Sequence, residues 1–322
     1  MPSFKKILVP TDFSESALSV YDHVRLLADK NESKVDLIHV IPEISYLKIS
    51  EEVMGNPFKI QAKYNELVGK LDNKLEEELK RHLAQQYRGR VFVGKGGKIS
   101  EGILNHTEEF NYDLIVIGSR GRSNGIFKRG STAIKLIREA KVPVLSFNKK
   151  TKTDIDEILV PTDGSEISLE ALEIALKLAI QHKASITLFS VLEFDFAKVT
   201  LMGGDPRLSE FAAEGQKKEV LDNLKKYINN SEEFSFKNKP NIRGAELETA
   251  KGDTIKINLN LEQNISAHNA IVEFANKNAD LVVMTTQGRT GLAKILLGSV
   301  AEKVVRNLEI PVLTMTPLVE KE

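Results

Sequence analysis

The sequence contains no cysteine and no tryptophan, and its formal net charge at pH 7 is zero. The lack of cysteine excludes disulfides, thiolate catalysis and cysteine-ligated metal sites. Since 45 basic residues are balanced by 45 acidic ones, the composition argues against a basic nucleic-acid-binding protein and against a polybasic membrane contact. No apolar run approaches the roughly 18 residues of a membrane span, and the first residues form no apolar signal region. We therefore expect a cytoplasmic protein with neither nucleic acid nor membrane as its partner.

The 322 residues suit two domains, and three sequence blocks recur in the same order. The spacing along the chain between a residue and its repeat is larger for the second block than for the first. The second copy must therefore carry an insertion between these two blocks. We place it at 229–256, where a polar stretch indicates a loop or an added hairpin. The predicted domains are 1–148 and 153–322. The repeated pairs are Ile7–Glu15 with Ile158–Glu166, Asp113–Gly118 with Asp280–Thr285, and Lys141–Leu145 with Glu309–Leu313.

Each copy contains five short apolar runs rich in β-branched residues, separated by segments with helical periodicity. Nearly continuous apolar runs are typical of strands buried on both faces of a parallel sheet, so the pattern predicts a doubly wound α/β domain in each copy. Ser14 and Ser165 are predicted to cap the first helices. The acidic run Glu76–Glu78 is predicted to lie on a solvated helix face. The predicted strands are 6–10, 34–40, 90–93, 114–118 and 142–147, followed by 158–161, 185–191, 255–259, 281–284 and 310–315.

Polar residues follow the first strand of each copy, where ligands of doubly wound sheets bind. Asp12 and Asp163 could accept hydrogen bonds from a sugar hydroxyl or a base. They could equally cap the helix that follows, and the sequence leaves both interpretations open.

The loop after the fourth strand of the second copy combines Gly288 and Arg289 with Gly298-Ser299 at the start of a long predicted helix. A glycine lets the backbone approach a ligand, and a helix N-terminus offers free N–H groups to a phosphate. A glycine-marked turn with a capping serine is the alternative interpretation.

These motifs resemble the universal stress protein (UspA-like) family, whose nucleotide signature is Gly-x2-Gly-x9-Gly-(Ser/Thr) after a hydrophobic strand. The resemblance covers both copies apart from the insertion. It implies two five-stranded parallel sheets of the adenine nucleotide alpha hydrolase-like fold, with strand order 3-2-1-4-5. It also implies ATP or another adenine nucleotide as ligand, with or without Mg²⁺. The residues it assigns to the ligand are Pro161, Thr162, Asp163, Val191, Thr285, Gly288, Arg289, Gly298, Ser299 and Val300 in the second copy, and Asp12, Val40, Gly118, Gly121, Gly130 and Ser131 in the first.

Each copy departs from the signature in its own way. In the second copy Thr285 replaces the first glycine, which would narrow the approach to the ribose or phosphates. In the first copy the spacing from Gly121 to Gly130 is one residue too short, which would shift the following helix. Because loop length sets geometry more than one substitution does, we expect at most one good site, in the second copy.

Three functions remain open at this point. The first is a stress-response module in which nucleotide binding changes conformation or partners. The others are a degenerate scaffold acting through protein contacts and a slow ATPase, although no general base or carboxylate pair for Mg²⁺ stands out. Family resemblance also implies an intrachain pseudo-dimer through the last strands, 142–147 and 310–315, and leaves a homodimer open.

Overall fold

A computed structural model of the chain describes residues 4–118, 130–148, 153–193, 206–288 and 297–317. The chain divides into two compact units, Ser3–Thr153 and Asp154–Glu322, and each is described by itself. Among the described residues, no helix combines the length and apolarity that a bilayer crossing requires.

The first unit contains a five-stranded parallel sheet with the order β3-β2-β1-β4-β5. This is the predicted doubly wound fold and the predicted order 3-2-1-4-5. The central strands are apolar almost throughout, as expected where helices cover both faces. The strands are β1 (Lys6–Pro10), β2 (Lys34–Pro42), β3 (Arg88–Gly96), β4 (Leu114–Gly118) and β5 (Val144–Phe147).

The helices of the first unit begin at recognisable capping residues. The Ser14 side chain accepts a hydrogen bond from the Ala17 N–H, and the Asn56 side chain accepts one from the Lys59 N–H. These bonds satisfy amide groups that the first helical turn leaves unpaired. The helices are α1 (Glu15–Leu18), α2 (Tyr21–Asn31), α3 (Glu43–Glu52), α4 (Pro57–His82), α5 (Ile99–Phe110) and α6 (Ser131–Glu139), with a short 3₁₀ turn at Gln85–Tyr87.

The second unit repeats the five parallel strands and adds two antiparallel ones at the edge. Its order is β12-β11-β6-β7-β10-β9-β8. The predicted five parallel strands are present in this unit, and two strands of the segment where we placed the insertion extend them by antiparallel pairing. The strands are β6 (Glu157–Pro161), β7 (Ser185–Glu193), β8 (Phe234–Phe236), β9 (Gly244–Thr249), β10 (Thr254–Asn264), β11 (Leu281–Thr285) and β12 (Val312–Met315).

Five described helices accompany the second sheet. Ser165 caps the first of them by accepting a hydrogen bond from the Ser168 N–H, as predicted. The helix predicted to be long after Gly298 spans nine residues. The helices are α7 (Glu166–Leu169), α8 (Ala171–His182), α9 (Pro206–Asn229), α10 (Ala267–Asn278) and α11 (Ser299–Asn307).

Several predicted bounds were wrong at the ends of strands. β5 and β12 begin after Pro143 and Pro311, because proline has no N–H to give to the ladder. β10 begins at Thr254, so the end of the predicted insertion belongs to the sheet.

The repeat persists in the hydrogen bonds that tie the fourth strand of each copy to the first. Asp113 Oδ2 accepts from the Lys6 N–H at 2.8 Å. In the second unit, Asp280 Oδ2 accepts from the N–H groups of Asp156 and Glu157 at 2.8 and 3.1 Å. The repeated aspartates therefore hold the start of the first strand in both units.

The prediction for the acidic run was wrong at Glu78. Its side chain lies on the same face of α4 as Leu75 and Leu79 and is only 8% exposed. Neighbouring Glu77 is exposed. Consecutive helical residues point about 100° apart, and this rotation brings Glu78, unlike Glu77, to the face that packs on the sheet.

Candidate functional site

The Thr-Asp pair after the first strand folds identically in the two units. The Thr11 and Thr162 N–H groups both extend the ladder to the second strand at 2.9 Å. Asp12 Oδ1 then accepts from the Ser14 N–H at 3.0 Å, and Asp163 Oδ1 accepts from the Ser165 N–H at 3.0 Å. In both units one carboxylate oxygen thus orients the serine that caps the following helix, and the aspartate itself is not the cap.

The residue after that aspartate has a positive φ in both units. Gly164 has φ +84° and Phe13 has φ +61°. Glycine tolerates this left-handed conformation, whereas an L side chain is strained in it. The Phe13 ring stacks on the His39 ring with centroids 5.1 Å apart, and Lys74 Nζ lies 4.0 Å from the Phe13 centroid. These contacts give the first unit an aromatic and cationic surface where the second has glycine.

In the first unit, a cavity of about 140 Å³ lies at the carboxyl ends of β1, β2 and β4. It brings together Asp12, Val40, Gly118, Gly130 and Ser131, all of which the resemblance assigned to a ligand. Gly121 lies outside the described residues. Sequence reasoning missed the polar lining residues His39 and Thr132, and the apolar wall. That wall consists of Ala17, Ile38, Ile99, Ile103, Ile117 and Ala133.

Gly118 is required by packing at the end of β4. A Cβ atom at this position would lie 2.2 Å from the backbone oxygen of Ser16. The first glycine of the signature therefore lets the end of the strand pass the segment that begins α1. In the second unit, Thr285 stands at the corresponding position and is 5% exposed. Its hydroxyl donates to the Gln287 backbone oxygen at 2.6 Å, so it turns back onto its own loop.

In the second unit, Asp163 and Gly288 lie side by side. A Cβ atom on Gly288 would be 2.6 Å from Asp163 Oδ2. The Gly298 N–H donates to the Thr286 backbone oxygen at 2.7 Å, which seats the start of α11 against the end of β11. Ser299 and Val300 are the first residues of α11, and Arg289 lies outside the described residues.

The long helix of each unit contacts the same region. Asn223 Nδ2 donates to the Gly164 backbone oxygen at 2.5 Å, and Gln216 Nε2 lies 3.4 Å from the Val191 backbone oxygen. Pro161 and Thr162 lead from β6 into this loop, and the Thr162 hydroxyl lies 2.7 Å from Ser168 Oγ. Sequence reasoning missed Asn223 and Gln216, because isolated amides on a polar helix give no motif.

In the first unit the corresponding contact is a buried carboxylate. Glu78 Oε1 accepts from the Thr11 hydroxyl at 3.1 Å and from the Tyr21 hydroxyl at 2.6 Å. Burial raises the pKa of Glu78, although the two hydrogen bonds and the Lys74 charge oppose that shift. α4 is thereby fixed to the loop that carries Asp12.

Each unit is an α/β domain with a polar Thr-Asp segment at the carboxyl end of the first strand of its sheet. The chain belongs to the universal stress protein family, whose model matches residues 3–147 and 155–315.

Two relatives each match about half of the chain. Over 161 residues it is 36% identical to universal stress protein MJ0531 of Methanocaldococcus jannaschii, covering 49% of this chain and 81% of that protein. It is 31% identical over 157 residues to MJ0577 of the same organism, covering 46% of this chain and 96% of the relative.

A solved universal stress protein from Archaeoglobus fulgidus matches nearly the whole chain, with a TM-score of 0.61 and 21% identity. The match covers 97% of this chain and 98% of that one. At this level of identity the likeness supports the tandem fold.

Proposed function

We propose that this protein is a stress-response module that binds ATP or another adenine nucleotide, and that its second domain holds the better site. The observation that carries the proposal is the approach of Asp163 to Gly288 beside the start of α11. Family membership supports the stress-response role.

Backbone N–H groups of α11 would hold the phosphates. The first N–H groups of a helix have no intrahelical acceptor, and the helix dipole favours an anion there. Because the Gly298 N–H already bonds to Thr286, the groups to use are those of Ser299, Val300 and Ala301. The Ser299 hydroxyl adds a donor, and Mg²⁺ would be held chiefly by phosphate oxygens.

Asp163 would recognise the sugar. One of its oxygens holds the Ser165 N–H, and the other points toward Gly288. A carboxylate oxygen in that place can accept from a ribose hydroxyl, and the missing Cβ of Gly288 lets the loop come this close to it. Val191, at the end of β7, would contact the base.

The first-domain cavity is a second candidate, because it already gathers five residues that the resemblance assigned to a ligand. Its described volume of about 140 Å³ is below the ~300–1,000 Å³ of pockets that enclose whole ligands. We therefore propose that it accepts a base or sugar at most.

Two pairs of matched variants test which domain binds. The first pair, Asp163→Asn in the second domain and Asp12→Asn in the first, removes the charge but keeps an acceptor for the N–H of Ser165 or Ser14. The second pair, Ser299→Ala and Ser131→Ala, removes the corresponding hydroxyls. With ATP at 100 times its Kd, the intact protein should gain about 2.7 kcal/mol of stability. The second-domain variants should weaken ATP binding about tenfold, and the first-domain variants should change it less than twofold.

Other outcomes would redirect the proposal. Larger losses in the Asp12 and Ser131 variants would move the site to the first domain. Because the chain has no tryptophan, co-purified adenine would be plain in its absorbance spectrum. No adenine and no thermal shift at millimolar ATP would leave the scaffold function, and steady ADP release would favour the slow ATPase. Pairing through the last strands stays a prediction, as does a homodimer.

A further inference from the structure

The second unit contains a larger cavity away from the Asp163–Gly288 pair. Its volume is about 550 Å³, within the range of small-molecule sites. It lies between the beginnings of α7 and α8, the C-terminal part of α9 and the chain leading into β8. Leu169, Tyr227 and Phe234 supply its apolar wall.

The charged lining of this cavity is almost entirely acidic. Among the described lining residues, five carboxylates accompany one cationic side chain, Lys226, whose ammonium is paired with Glu166. The carboxylates belong to Glu166, Glu170, Glu173, Glu232 and Glu233. A lining this acidic, in a chain of zero net charge, is a local concentration of negative potential that favours a cation.

The charges of three of these carboxylates act on the Tyr227 hydroxyl in the apolar wall. Burial raises the pKa of the Tyr227 hydroxyl, and the charges of Glu173, Glu233 and Glu170 raise it further. Negative potential therefore reaches the aromatic wall as well as the rim. An aromatic face next to carboxylates suits a protonated amine on an alkyl chain, because the ring attracts the cation and covers its methylenes.

The cavity depends on the insertion of the second copy. The segment from Ser231 to Phe234 lines it, and Phe234 is the first residue of the added strand β8. In the first unit, the chain passes from α4 through the short turn Gln85–Tyr87 directly into β3. The insertion therefore contributes a wall that the first copy does not encode.

We propose that this cavity binds an aliphatic di- or polyamine, with ammonium groups at the carboxylates and methylenes against Leu169, Tyr227 and Phe234. Charge complementarity and an apolar wall of suitable size support this ligand class. A metal ion has no apolar surface that could contact the wall. Since the rim is exposed, binding depends strongly on salt. The proposal is independent of nucleotide binding.

Calorimetry on the full chain with spermidine at low salt tests the proposal. The triple variant Glu170→Gln, Glu173→Gln, Glu233→Gln should lose at least about tenfold in affinity. A control triple, Glu51→Gln, Glu77→Gln, Glu109→Gln, removes the same charge from exposed positions of the first domain and should change affinity less than twofold. Asn230→Lys, on an exposed lining residue, places a competing ammonium at the cavity and should also weaken binding.

Ligand comparisons complete the test. Butylamine, with one charge, should bind at least tenfold more weakly than spermidine. No spermidine binding at low salt, or equal losses in the two triple variants, would overturn the proposal. Binding of an oligolysine peptide without binding of spermidine would assign the surface to a basic protein segment instead and would also overturn it.

Discussion

The hydroxyl of Tyr21 donates a 2.6 Å hydrogen bond to Oε1 of Glu78, a side chain that is only 8% exposed. The same oxygen accepts from Thr11, the residue before Asp12. A single carboxylate therefore connects α2 and α4 to the loop at the end of β1. Because burial disfavours its charge, the pKa of Glu78 is raised.

We expect Glu78→Gln to be at least as stable as the unchanged protein at pH 8. The amide oxygen can accept both hydrogen bonds, and the buried charge is gone. A raised folded-state pKa means that the folded protein binds more protons than the unfolded chain between pH 4.5 and that pKa. The contribution of Glu78 to stability should therefore increase as the pH falls through this window, and the variant should lack that contribution. Urea unfolding at several pH values measures both effects.

Two further variants separate charge from hydrogen bonding. Glu78→Leu orphans the Tyr21 and Thr11 hydroxyls and should cost about 2–4 kcal/mol. Glu77→Gln, on the exposed face, should change stability by less than about 0.5 kcal/mol. A Glu78→Gln protein as unstable as the leucine variant would contradict the expected role of the carboxylate.

The left-handed conformation at Gly164 predicts a cost for any side chain there. Its φ is +84°, and its carbonyl accepts from Asn223. Gly164→Ala should lower the free energy of unfolding by about 1–2 kcal/mol, measured by thermal or urea unfolding. As a control, Gly215→Ala lies within α9 with no atom near the new methyl, and should stabilise by about 0.5–1 kcal/mol. Equal effects of the two changes would exclude backbone strain as the cause.

Periodicity predicted the doubly wound α/β fold because it records which residues are buried, whereas the strand order was implied by the family resemblance and the caps by Ser14 and Ser165. Periodicity failed where the burial of one residue differs from that of its neighbours along the chain. Glu78 lies in a charged run, yet its partners Thr11 and Tyr21 are more than fifty positions away along the chain. The family resemblance assigned Gly118 to a ligand, but the packing of this residue against the backbone of Ser16 was not predicted. Such contacts depend on tertiary packing, which local sequence does not encode.

Asp36 should be the most sensitive polar residue of the first unit outside the candidate site. It is 2% exposed and accepts from the Arg90 N–H at 2.7 Å and the Tyr112 hydroxyl at 2.8 Å. Asp36→Leu removes the acceptor of the Arg90 N–H and of the buried Tyr112 hydroxyl, which keeps His106 Nε2 at 3.1 Å, and it should cost about 2–4 kcal/mol in urea unfolding. Tyr112→Phe removes one donor and its hydrogen bond together and should cost only about 1 kcal/mol. Similar costs for the two variants would show that the lost hydrogen bond of Tyr112, and not the unpaired Arg90 N–H, accounts for the effect.

His106 should make the first unit less stable as the pH falls. Its ring packs against Phe92 and Phe110, and its Nε2 lies 3.1 Å from the Tyr112 hydroxyl. Burial lowers the pKa of His106, and the charges of Arg90 and Lys6 act in the same direction, while Glu109 and Asp36 oppose them. Below the ordinary histidine pKa of 6.5 the unfolded chain therefore binds more protons than the folded one, so stability falls until the pH passes below the folded-state pKa of His106.

Urea unfolding between pH 7.5 and 5.5 should show a smaller change of stability with pH for His106→Gln than for the unchanged protein. Phe92→Leu loosens the same cluster without removing a titrating group, so it should lower stability and keep the same change with pH. An unchanged pH dependence in His106→Gln would assign the acid sensitivity to other groups.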